Sequence, residues 1–97
     1  MNCILFMTSG VESLIGEGTI KDSDLILSFN KFILNDWGVL CDEDKEFQME
    51  LLKNPKAKYK DRFMGVYIIN EKKIWIISDY DCSIKKLVIT ILLPEEY

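Results

Sequence analysis

An α+β domain, with an antiparallel sheet of three to four strands and two main helices packed on it, is the fold class the sequence predicts. Three observations predict it. Apolar residues recur at spacings of three and four from Leu25 to Ile33. From Arg62 onward the pattern changes to short β-rich runs around a turn. No linker, internal repeat or low-complexity tract interrupts the 97 residues, so residues 1–97 read as one domain. At this size about 65% of the unfolded surface can be buried, enough for one core without disulfides or a structural metal. An apolar share of 48%, with two Trp, five Phe and four Tyr, is the composition of a folded chain.

Asn2 to Met7 is a short apolar run that reads as a first strand, although such a run also starts helices. It is too short, and lacks the basic leader, for a signal peptide or membrane anchor. Val11 to Ile15 has room for one or two helical turns before the breaks at Gly16 and Gly18. In KDSDL, Asp22 or Ser23 offers an oxygen to the free N–H groups of a starting helix. Leu25, Ile26, Phe29, Phe32 and Ile33 then line one face of a helix running to about Leu34, and Asn35 suits its left-handed end. A second helix begins near Asp42, where DEDKEFQMELLK places acids in the first turn and a lysine in the last. Its apolar set is Phe47, Leu51 and Leu52 with Met49 partly exposed, and Asn54-Pro55 ends it.

FMGVYII, NEKK and IWIIS form a hairpin signature, and LVITILL (Leu87 to Leu93) adds another strand after DYDCSIKK. These strands are apolar on both faces. The sheet is therefore expected to carry the helices on one face and the N-terminal segment or a partner on the other. LVITILL is expected at a sheet edge, where a second copy would pair with it as a homodimer.

The chain has no histidine, which removes Ser-His-Asp and Cys-His catalysis and His-ligated zinc. Cys3, Cys41 and Cys82 are scattered without CxxC spacing and read as reduced, partly buried thiols of a cytosolic protein. No metal or other cofactor is expected. Gly16 to Gly18 lacks the third glycine and the lysine of a phosphate loop. The acids at Asp36, Asp42, Glu43, Asp44 and Glu46 are explained by capping and the helix dipole. Asp79 and Asp81 lie at a strand end, where turn-forming bonds account for them more simply than catalysis with Ser83 does. Trp75 reads as sheet packing. Trp37, beside Asp36 and Gly38, reads as the lock of a helix-to-helix corner, with a binding hot spot as the alternative.

DWGxL (Asp36 to Leu40), EDK (Glu43 to Lys45), KIWII (Lys73 to Ile77) and TILLPEEY (Thr90 to Tyr97), in that order, resemble a family of small bacterial and mobile-element proteins described as plasmid-related. The resemblance covers roughly residues 30 to 97 and is looser before them. A histidine that the family carries before DWG is absent from Lys31 to Asn35. The family's ITEADRS is similar to ISDYDCS here, with Cys82 where it has arginine. About four extra residues, near Ile84 to Leu87, then precede the terminal strand. The resemblance implies a genomic setting and a fold, not a reaction.

A net charge of −4 and a pI of about 4.8 give the chain no long-range attraction for nucleic acid or anionic lipid. Its expected function is that of a non-enzymatic, cytoplasmic accessory factor of a phage or plasmid. It would dock on a host protein or nuclease complex and act as an inhibitor of CRISPR or restriction defence. Asp36, Trp37, Asp42, Glu43, Asp44 and Glu46 are the candidate partner-binding residues. The alternative is a small nucleic-acid-binding module using KNPKAKYKDR, from Lys53 through Lys56, Lys58, Tyr59 and Lys60 to Arg62.

Overall fold

The computed structural model describes residues 3–54 and 62–97. In chain order these form β1 (Cys3–Met7), α1 (Ser9–Gly16), α2 (Asp22–Ile33), α3 (Asp42–Leu51), β2 (Phe63–Ile69), β3 (Lys72–Asp81) and β4 (Lys86–Leu92), closed by a 3-10 turn at Pro94–Glu96. The α+β class is the one predicted. The sheet runs β1-β4-β3-β2.

Two expectations about the sheet are corrected. It is mixed rather than wholly antiparallel, because β1 runs parallel to β4, with Cys3 opposite Leu87 and Met7 opposite Ile91. Parallel neighbours need a long crossover, which α1, α2, α3 and the β2–β3 hairpin together supply. LVITILL is also no edge. It lies between β1 and β3, the place where a strand apolar on both faces is buried best. The edges are β1 and β2.

Strand register sorts the side chains. Phe63, Tyr67, Ile74, Ile76, Ile89 and Ile91 share one face. Val11 of α1, Ile20, and Leu25 and Phe32 of α2 join them in the core. Fully burying such side chains is worth about 1.5–3 kcal/mol each. On the opposite face Trp75 meets the Tyr97 ring edge-to-face at 5.6 Å.

Local chemistry sets the ends of the elements. The predicted cap at Asp22 or Ser23 shifts by one or two residues: Lys21 takes the N-cap place, and its backbone N–H donates to the Asp24 carboxylate at 3.2 Å. Asn35 has φ 65°, and the Asp36 N–H returns to the Lys31 carbonyl at 2.8 Å, closing α2 as a left-handed cap. Asn70 and Glu71, both at positive φ, form the two-residue hairpin turn between β2 and β3. At the far end of the chain the Glu96 carboxylate accepts from the Thr8 hydroxyl (2.5 Å), the Leu93 N–H (2.9 Å) and the Gly10 N–H (3.0 Å). It thus caps the start of α1, where free N–H groups and the helix dipole favour an anion. These bonds, the Thr8 hydroxyl's first, hold its carboxyl below the ordinary value.

Candidate functional site

The helix α3, DEDKEFQMEL, carries five carboxylates and one lysine, a net of −4 that equals the net charge of the whole chain. Outside this helix acids and bases balance. At 100° per residue, Asp42, Glu43, Glu46 and Glu50 form one stripe, with Phe47 on one flank and Met49 on the other. All six are exposed, Phe47 by 65% and Met49 by 58%. This corrects the expectation that Phe47 belongs to the core.

The position α3 buries is Gln48. Its amide oxygen accepts from the Met64 N–H at 2.8 Å, and its amide nitrogen donates to the Met64 carbonyl at 3.1 Å. One side chain thereby stands in for a neighbouring strand at the β2 edge. It also fixes the rotation of α3 that turns the acidic stripe outward. A lone Gln in a charged helix offers no periodic signal, so sequence reasoning missed it.

Two shallow grooves flank the stripe. Met49, Lys45 and Lys53 line one together with the carboxylates. Leu40, Phe47, Met64, Ile77 and Tyr97 line the other. Asp44 lies on the second side and accepts from the Cys41 thiol at 3.1 Å.

The corner at Asp36 and Trp37 divides. Asp36 is exposed, and its carboxylate accepts from the Gly38 N–H at 3.1 Å. Trp37 is buried and stacks on Phe63 at 6.2 Å. Its ring is thus not offered to a partner, which corrects its place among the candidate contacts. The segment around it is zipped to β2: the Val66 N–H donates to the Trp37 carbonyl at 3.0 Å, and the Val39 N–H donates to the Val66 carbonyl at 2.8 Å. The buried Tyr67 hydroxyl donates to the Asp36 carbonyl at 2.7 Å. Burial first, and the Asp36 charge second, push that phenol well above its usual range. Gly38 sits at φ 68°, where a β-carbon would lie 2.0 Å from the Val66 carbonyl oxygen.

Lys56, Lys58, Tyr59 and Lys60 lie outside the described residues, as does Pro55. Arg62 is described and already engaged. Its Nε lies 3.4 Å from Asp79, and its guanidinium stands 5.0 Å from the centre of the Tyr97 ring. Both groups of the ion pair are about half exposed, so the pair is worth at most about 1 kcal/mol. Asp81 accepts from both the Ser83 hydroxyl (2.6 Å) and the Ser83 N–H (2.9 Å). The hydroxyl bond, then the backbone bond, lower its carboxyl pKa, as expected of a turn-forming residue.

Cys3, Cys41 and Cys82 are free and exposed rather than partly buried. Among the described residues no group of three or more His, Cys, Asp and Glu stands close enough to hold a metal ion, and no helix is long and apolar enough to cross a membrane. Comparison with protein-family models, with curated proteins and with solved structures finds no match.

Proposed function

We propose that the chain is a non-enzymatic binding protein that docks through α3 on a basic protein surface. The surface in question is the kind with which a nuclease grips nucleic acid, and the setting is a phage or plasmid opposing host defence. One observation carries this reading: the chain's entire net charge lies on one exposed helix, between two exposed apolar side chains. Ten residues of helix span about 15 Å, so α3 presents one net negative charge per about 4 Å of axis. A single strand of DNA presents one per about 3.4 Å. The helix therefore matches the linear charge density that a nucleic-acid channel is built to receive. Charge complementarity supplies encounter rate and register. Phe47 and Met49 supply the apolar anchors that carry affinity in a docked interface.

The test is a fourfold neutralisation, Asp42→Asn, Glu43→Gln, Glu46→Gln and Glu50→Gln, with Phe47→Ala as a separate variant. The wild-type chain should retain a nucleic-acid-binding nuclease from host extract and release it when duplex DNA is added. The fourfold variant should lose at least about tenfold in affinity, with the salt dependence flattened. Equal retention by the neutralised variant would remove the proposal. Binding of nucleic acid by the chain itself at low salt, weakening steeply as salt rises, would transfer the function to the basic segment.

A further inference from the structure

We infer that the open edge of β1 is a homodimer interface, in which β1 of a second copy pairs antiparallel about a twofold axis through Leu5. In the sheet of the described residues β1 is an edge strand, and among those residues no backbone bond outside the ladder engages Cys3, Leu5 or Met7. The Thr8 N–H donates to the Ile91 carbonyl at 3.1 Å, so even-numbered residues turn their backbone groups toward β4. Cys3, Leu5 and Met7 therefore direct N–H and C=O outward. An antiparallel pairing centred on Leu5 sets Leu5 against Leu5 and Cys3 against Met7 as hydrogen-bonded pairs, which satisfies every outward group of both strands. Ile4 then faces Phe6 on the opposite side of the sheet, so each exposed apolar side chain of β1 meets an apolar one.

Three further features favour a second copy as the occupant. The strand CILFM has no charge, so self-pairing sets no like charges against each other. Leu5, Phe6 and Met7 are 48%, 53% and 39% exposed, and Ile26 of α2 is 59% exposed. Together they offer on the order of 400 Å² of apolar surface per copy, which with flanking backbone brings the total near the ~1,000 Å² of a specific interface. Beside the edge a groove of about 340 Å³, lined by Leu5, Met7, Leu25, Ile26 and Phe29, lies on the face toward which the second copy's Leu5 points. This is strand addition with side-chain pockets, supplied by the chain to itself. An area at the lower limit predicts a reversible dimer.

Sedimentation over roughly 1–300 µM tests the pairing, a span suited to an interface of this small area. The wild type should pass from monomer to dimer, and Leu5→Lys, which sets two charges against each other on the axis, should stay monomeric with an unchanged far-ultraviolet spectrum. The register is tested separately in a Cys41→Ser, Cys82→Ser background. Met7→Cys places a thiol opposite Cys3 of the other copy at about 5.5 Å between α-carbons, within disulfide reach. Diamide, as the two-electron oxidant, should convert this variant to a covalent dimer, the two thiols losing their protons and diamide being reduced to the hydrazine. Phe6→Cys, which points to the other face, should not cross-link. A wild type that is monomeric throughout, a Leu5→Lys variant that still dimerises, or equal cross-linking of both cysteine variants would each overturn the inference.

Discussion

The two edges of the sheet are treated in opposite ways. At the β2 edge, Met64 has both backbone groups taken by the Gln48 amide, and Val66 has both taken by the Trp37–Val39 segment. At the β1 edge the described residues supply no such cover, although every side chain of that strand is apolar. Proteins blunt edges that would otherwise invite pairing. Here the protection is placed at Met64 and Val66 of one edge and withheld, among the described residues, from the other. Edge protection in this chain is thus selective, and the unprotected strand is the one whose residues complement themselves.

The sealed edge can be broken most severely at Gly38. With a β-carbon 2.0 Å from the Val66 oxygen and φ at 68°, Gly38→Ala is expected to cost about 3 kcal/mol or more in urea denaturation. A loss below about 1 kcal/mol would mean that the corner can shift away from β2. Next in size is Gln48→Ala, which strands the Met64 N–H and C=O and should cost about 1–3 kcal/mol. It should also raise light scattering, since it uncovers a second edge. Unchanged scattering would show that α3 still covers β2 without its amide.

The smallest effect is expected at the junction beyond the open edge. Glu96 has a lowered pKa, so its contribution to stability is present above the ordinary carboxylate value and is lost as pH falls through the lowered one. Acidification should therefore lower hydrogen-exchange protection, relative to the intrinsic rate at each pH, in the first turn of α1 and in β1 before it does so in β2. Glu96→Gln should remove that acid dependence. Equal acid sensitivity in the variant would place the titrating group elsewhere.

Much of this fold was legible. The shift from helical to strand spacing at Arg62, the NEKK turn, the left-handed Asn35 and the acids opening α3 are local signals, and local chemistry decides them. What escaped is non-local. Nothing in CILFM states which strand it will join or in which direction. LVITILL was expected at an edge, although its two apolar faces suit the interior. At the candidate site, the acidic stripe was legible as composition. The outward turn of Phe47 was not, because it depends on Gln48 finding Met64, sixteen residues away. Trp37 presents the converse case. Its structural reading, as the lock of a corner, agrees with its burial and its stack on Phe63, and the hot-spot alternative is the one that falls.

The bond from Thr8 to Glu96 joins residues 88 apart in sequence, and among the described residues β4 is the one strand that pairs with β1. Such long loops must close before their contacts repay the lost entropy, which slows folding. On the ribosome, at about 5–20 residues per second, β1 emerges several seconds before the strand that receives it. An uncharged apolar strand spends that interval unpaired. The nascent chain is thus exposed to misassociation at β1 until β4 appears, and a holdase acting on it would be expected to bind first at Ile4 to Met7.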